Sequence, residues 1–126
     1  MENKSICKID EDGNKFWYLN NLQHREDGPA VEMVDGTKRW YINGNLHRED
    51  GPTIIRINGI KEYYIHNKRH RFDGPAWISG VSSFRNEWFI NGILVTPEIT
   101  KWAKEHNIDL DNLTDVDIAL IKISFT

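Results

Sequence analysis

Along most of the chain, short runs of aromatic and β-branched residues alternate with polar turns, and the alternation returns at a fixed interval. Trp17-Tyr18-Leu19 leads into Asn20-Asn21, a second short run reaches His24-Arg25, and Asp27-Gly28-Pro29 closes the unit. The same order recurs from Gly36, with Trp40-Tyr41-Ile42, Asn43-Gly44, His47-Arg48 and Asp50-Gly51-Pro52. It recurs again from Gly59, with Tyr63-Tyr64-Ile65, His66-Asn67, His70-Arg71 and Asp73-Gly74-Pro75. His24, His47 and His70 stand 23 residues apart. A fourth start, Trp88-Phe89-Ile90-Asn91-Gly92, arrives two residues late and lacks the His-Arg-x-Asp-Gly-Pro half, so it is expected to cap the array.

Runs of this kind between Asn-Gly turns predict β-hairpins. After Leu94 the spacing becomes helical. Thr96-Pro97-Glu98 predicts a helix start with Thr96 as N-cap, followed by Ile99, Trp102, Ala103 and His106 on one face and a stop at Asn107. Thr114 with Asp117 predicts a second start, and Ile118, Ile121 and Phe125 cannot share one stripe with Val116, Leu120 and Ile123, so broad burial is expected there. The expected fold class is mainly β: an open antiparallel sheet of stacked 23-residue hairpin repeats with a C-terminal helical cap. The repeats occupy residues 1–95, with copies at about 13–35, 36–58 and 59–80 and a partial one at 81–95, and the cap occupies 96–126, in one structural domain.

Each copy carries three turn signals, counting Asp35-Gly36 and Asn58-Gly59. Stacked copies need an even number of chain reversals, so one signal must be a bend; proline cannot donate to a central ladder, which points to Asp-Gly-Pro. Alternation places Trp17, Trp40, Tyr63 and Trp88 on one face with Leu19, Ile42, Ile65 and Ile90, the expected core side. Tyr18, Tyr41, Tyr64 and Phe89 form a column on the other face beside Phe16, Arg39, Glu62 and Glu87, a side expected to be wet. That column is either a binding surface or lateral packing that stiffens the sheet.

A chain of 126 residues suffices for one core, and 39% hydrophobic with 28% charged residues argues against general disorder. The net charge of -3 provides no field for phosphate backbones or anionic lipid, so neither non-specific nucleic acid nor membrane is an expected partner. Cys7, the only cysteine, excludes an intrachain disulfide or cysteine zinc cluster. The N-terminus shows no apolar run of signal-peptide length, and a cytoplasmic location is expected, the host cytoplasm if the chain is viral.

His-Arg-x-Asp is the constellation closest to chemistry. The protein-kinase catalytic loop has its aspartate directly after the arginine and needs a glycine-rich loop, a strand lysine and Asp-Phe-Gly, all missing here. An active site also requires one converging set of groups, whereas this set is repeated. His24, Arg25, Asp27, His47, Arg48, Asp50, His70 and Asp73 are therefore read as structural, with aspartate accepting turn N–H groups or pairing with arginine. A metal ladder fails on distance: copies two strands apart place equivalent histidines about 10 Å from one another, too far for one ion. Neither metal nor cofactor is expected. Lys68, Arg69, His70 and Arg71, with Lys61 and Arg56 upstream, make the third copy basic, which suits either an anionic ligand or an edge guarded by lysine and arginine, with Glu62 and Asp73 near enough to neutralise much of the charge.

The period and the pattern Trp-Tyr-x-Asn-Gly-x-x-His-Arg-x-Asp-Gly-Pro-Ala resemble the variant MORN repeats of bacterial antitoxin-like and phage or large-virus proteins, over roughly residues 13–94. The resemblance implies a non-enzymatic interaction scaffold with no catalytic residues. Thr53 for alanine, Phe72 for glutamate and His66-Asn67 for Asn-Gly depart from the pattern. The expected function is a protein-binding scaffold, with the resemblance extending this to a phage-encoded or antitoxin-like inhibitor of a host or competitor protein. The alternative is a small-ligand or nucleotide-binding protein using Tyr18, Tyr41, Tyr64 and Phe89 with Arg39, Arg69 and Arg71. The helices provide either a cap or the interface of a homodimer.

Overall fold

The computed structural model describes residues 4–81 and 85–126. A leading strand β1 (Ile6–Ile9) precedes copy one, which holds β2 (Lys15–Leu19), β3 (Leu22–Gln23) and β4 (Val31–Glu32). Copy two holds β5 (Lys38–Arg39), β6 (Tyr41–Ile42), β7 (Asn45–Leu46) and β8 (Ile54–Ile55). Copy three holds β9 (Lys61–Glu62), β10 (Tyr64–Ile65), β11 (Lys68–Arg69) and β12 (Trp77–Ile78). The last hairpin, β13 (Phe89–Ile90) and β14 (Ile93–Leu94), is followed by α1 (Thr96–Glu105) and α2 (Asp115–Ser124).

The main sheet is open and antiparallel, in the order β1-β2-β4-β5-β8-β9-β12, with β3 beside β2. The N–H of Trp17 donates to the Ala30 carbonyl and its own carbonyl accepts from His24 N–H. Both groups of one residue in an extended strand point to the same edge, so β3 and β4 lie end to end along one edge of β2. Both run antiparallel to β2, and the Arg25–Pro29 segment between them is an excursion from one direction rather than a reversal. The Asp-Gly-Pro corner is thus the bend, and each copy contributes two reversals. Trp40 and Tyr63 repeat the node with Thr53 and His47, and with Ala76 and His70.

The reversals follow from turn chemistry. Asn20-Asn21, Asn43-Gly44, His66-Asn67 and Asn91-Gly92 all have positive φ at both positions, the primed hairpin turn whose twist matches the strands. Gly13, Gly36 and Gly59, with φ of +92°, +99° and +87°, close the other turns. Neighbouring hairpins join through backbone bonds such as Gly44 N–H to Gln23 O (2.8 Å) and Arg25 N–H to Tyr41 O (3.1 Å).

Burial departs from the expected division into a dry and a wet face. Directly opposed residues share a face, and the register runs Phe16, Val31, Arg39, Ile54, Glu62, Trp77, Glu87 without a break on the tyrosine side. Val31 (4% exposed), Ile54 (5%) and Glu62 (2%) are buried there. A single-layer sheet has no second layer to cover either face, so long side chains laid along it exclude water instead. On the tryptophan side only Trp88 and Ile90 are buried among the eight residues expected to form the core.

The apolar cluster sits at the C-terminal end: Trp88, Ile99 and Ile121, with Phe72, Val95, Trp102, Leu110, Leu113 and Phe125 against it. Phe72, which replaces the glutamate of the other copies, is the residue that copy three contributes to this cluster. The α1 expectation needs correction at its start. Val95 occupies the N-cap, and the Thr96 hydroxyl accepts the Trp88 N–H (2.8 Å) while donating to Glu87. It stands in for the carbonyl that Ala30, Thr53 and Ala76 offer to the equivalent N–H groups, closing the sheet edge where the fourth copy lacks its third strand. His106 is exposed, against the Trp102 ring, and Asn107 ends the helix at φ 55°.

In α2 the capping box is formed, the Thr114 hydroxyl accepting Asp117 N–H and the Asp117 carboxylate accepting Thr114 N–H. Broad burial is not observed: Ile121 alone is fully buried, and Val116, Leu120 and Ile123 are exposed. One face suffices to cover Trp88, so the other apolar positions remain in solvent.

Candidate binding surface

Each His-Arg-x-Asp-Gly-Pro segment folds back over its own copy. The guanidinium carbons of Arg25, Arg48 and Arg71 lie 3.9, 3.8 and 4.0 Å from the ring centres of Trp17, Trp40 and Tyr63. In each, Nε donates to the aspartate two residues on (3.0, 2.9 and 2.8 Å) and Nη1 to the proline carbonyl (3.1, 2.9 and 3.1 Å). Glycine lets the arginine lie close: a Cβ on Gly28, Gly51 or Gly74 would approach the guanidinium carbon to 2.9, 2.8 or 2.5 Å, so a side chain there has to displace the guanidinium from its ring. Arginine, aromatic ring and glycine form one clamp. The aspartates accept from arginine; the side chains of Asp27 and Asp50 are 87% exposed, so the alternative of a buried turn acceptor does not hold.

The histidines hold the next copy. Nδ1 of His24, His47 and His70 accepts the backbone N–H of Asn43, His66 and Asn91 at 2.9, 3.0 and 2.9 Å. That N–H opens a left-handed turn and has no partner within the hairpin, so each histidine fixes the register of its neighbour. The bond requires the proton on Nε2, which lies 3.6 Å from Glu26 in copy one and 3.7 Å from Glu49 in copy two. In copy three Phe72 takes the glutamate's place, with its ring edge-on to His70 at 4.4 Å, and burial lowers the His70 pKa. Among the described residues no three His, Cys, Asp or Glu side chains are grouped to hold a metal ion.

The other face presents Tyr18, Tyr41, Tyr64 and Phe89 in a row, each half-buried, with Gln23, Leu46, Arg69 and Leu94 opposite them in the hairpins. The helices pack on Trp88, across the sheet from this row. Of the expected binding residues, Tyr18, Tyr41, Tyr64, Phe89, Arg39 and Arg69 share the face; Arg71 is on the opposite side, clamped on Tyr63.

The basic third copy is largely spent internally. Glu62 receives Arg56 (2.9 Å) on one oxygen and Arg69 (2.8 Å) on the other, and the Tyr64 hydroxyl bridges Arg69 and Glu62. Burial and then the Glu62 carboxylate push the Tyr64 phenol above its ordinary pKa. For Arg69 burial alone would lower the pKa, but the bond to Glu62 and the Tyr64 contact outweigh it and the net direction is upward. The ligand site combining Arg39, Arg69 and Arg71 with the aromatic column is therefore not assembled.

Sequence reasoning missed the central place of Glu62 and the role of Thr53. The Thr53 hydroxyl bonds both the N–H (2.8 Å) and the carbonyl (3.1 Å) of Tyr64, which gives this departure from alanine its function. Register arithmetic would have placed Glu62 between Arg56 and Arg69. Nothing in the pattern signals Thr53.

No protein-family model, curated protein or solved structure matches this chain. No helix among the described residues is long and apolar enough to cross a membrane.

Proposed function

We propose that this chain is a non-enzymatic protein-binding scaffold that covers part of a partner protein with its tyrosine face. The observation that supports this is the fate of the repeated polar groups: histidine, arginine and aspartate are bonded within the sheet in all three copies. What recurs half-exposed is the aromatic row, in which the Tyr64 hydroxyl is bonded within the sheet but the ring faces stay partly open, with residues of the amphipathic kind that anchor protein interfaces. The similarity to variant MORN repeats extends the proposal to an antitoxin-like or phage-encoded inhibitor acting in the cytoplasm on a host or competitor protein.

Affinity capture from cells that carry the partner tests it. The wild-type chain is expected to retain one protein stoichiometrically, and a Tyr18→Ser, Tyr41→Ser, Tyr64→Ser variant that still melts cooperatively is expected to lose it. Retention by that variant would reject the tyrosine face. In the ligand reading, a nucleotide panel would raise the melting temperature, since a ligand held by the folded state alone stabilises it.

A second reading concerns assembly. Val116, Leu120 and Ile123 form an exposed apolar stripe on α2, and self-association through it is tested by sedimentation of the wild type against Leu120→Glu.

A further inference from the structure

Arg39 lies on the tyrosine face and has no hydrogen-bonded or ion-paired side chain among the described residues. Arg56 and Arg69 are bound to Glu62, and Arg25, Arg48 and Arg71 serve the clamps on the opposite side. Arg39 Nε is shielded from solvent without a hydrogen-bond partner, the one such side-chain nitrogen or oxygen among the described residues. Leaving a buried donor unmatched costs free energy, the more so on a charged group.

The repeat itself shows how this position is completed. Twenty-three residues on from Met33, Arg39 and Leu46 stand Arg56, Glu62 and Arg69. In copy three the central residue is an acid held by two arginines at 2.8 and 2.9 Å. In copy two the centre is the arginine and the flanking positions, Met33 and Leu46, are apolar, so no acid stands at either flank. A cavity of about 360 Å³ opens beside Arg39, with Phe16, Val31 and Met33 as its apolar lining and Gln23, Asp35 and Arg56 among its polar lining. Its volume suits one side chain and not a folded element.

Building on the tyrosine face as the binding surface, we infer that this cavity takes an aspartate or glutamate side chain of the protein partner, with the Arg39 guanidinium turning to donate to the carboxylate. Phe16, Val31 and Met33 offer apolar contact to the methylene stem, and desolvation at the buried Nε strengthens the pair. Asp35, tied to the Thr37 N–H at 2.8 Å, adds a negative charge to the lining. That charge disfavours a dianionic phosphate relative to a single carboxylate.

The test is an NMR titration of the whole chain, following arginine Nε–Hε signals, with N-acetylglutamate N-methylamide, its glutamine analogue and inorganic phosphate as probes. The Arg39 signal is expected to shift saturably with the glutamate probe and roughly tenfold more weakly with the glutamine probe, as one charge-assisted hydrogen bond implies. Phosphate is expected to bind no better than the glutamate probe. Equal responses to the two amino-acid probes, no saturable shift at Arg39, or a preference for phosphate would each overturn the assignment. In the variants the readout is the backbone amides of Val31 and Met33 in the cavity wall. Arg39→Gln is expected to abolish their saturable shift with the glutamate probe, and Arg39→Lys, which retains the charge and serves if the glutamine variant does not fold, is expected to weaken it. An undiminished shift in a folded variant would overturn the assignment. In partner capture, loss on Arg39→Gln supports the inference. Capture that survives Arg39→Gln but fails in the triple tyrosine variant rejects the carboxylate site alone, and capture that survives both rejects the binding face as well.

Discussion

The guanidinium of Arg48 lies 3.8 Å from the ring centre of Trp40, and Gly51 approaches it so closely that an added methyl would stand 2.8 Å from Cζ. Three residues that look independent in the sequence are parts of one contact, which copies one and three repeat with their own residues.

Stability should reflect this division of labour within the motif. Arg48→Ala loses the ring contact and the bond to the Pro52 carbonyl and is expected to cost about 1–2 kcal/mol. Asp50→Ala removes a carboxylate that is almost wholly in solvent and should cost less than about 1 kcal/mol. Urea denaturation of the two variants checks the order; a larger loss from Asp50→Ala would mean that the turn, not the ring contact, holds the segment.

Glu62 is the buried charge of the tyrosine face. Removing it leaves Arg56 and Arg69 without their acid, and both are partly exposed, which lets water recover some of the loss. Glu62→Gln is expected to destabilise by about 2–4 kcal/mol. A change below about 1 kcal/mol in the denaturation midpoint would show that the arginines are satisfied by solvent.

Acidity should act through His70. Its folded-state pKa lies below the ordinary histidine value because of burial, so below about pH 6.5 the unfolded chain takes up a proton that the folded chain resists. The unfolded state then binds more protons, and stability is expected to fall as pH drops through that value. His70→Asn keeps a side-chain acceptor for the Asn91 N–H without titrating and should flatten this part of the curve. Unfolding free energies at pH 7.5 and 5.5 decide the matter; an identical pH slope in the variant would exclude His70 as the source.

The open sheet, its two C-terminal helices and even the bend at Asp-Gly-Pro were legible because each rests on local chemistry: Asn-Gly turns, proline's missing donor, a Thr-x-x-Asp box. What was not legible depends on which neighbour lies across the sheet. The core assignment to the tryptophan face holds only at its C-terminal end, at Trp88 and Ile90, because alternation tells which residues share a side, not what covers it: the helices cover Trp88, whereas Arg25, Arg48 and Arg71 cover the rings of the other copies. Thr96 was read as a helix cap because its sequence neighbours favour that, whereas the unmatched N–H of Trp88 recruits its hydroxyl. The aromatic row is legible as a column along one face, but Arg71 does not lie beside it, since the chain folds back after His70 to the opposite face. The burial of Glu62 required the register of three strands at once.

The most direct measurement of the claim that the repeated motif exists to build the sheet is a double-mutant cycle on Arg48→Ala and Gly51→Ala by chemical denaturation. Gly51→Ala alone is expected to cost about 1–3 kcal/mol, because the methyl must displace the guanidinium. In the Arg48→Ala background it should cost nothing, or stabilise slightly by restricting the unfolded chain. The same loss in both backgrounds would contradict the account.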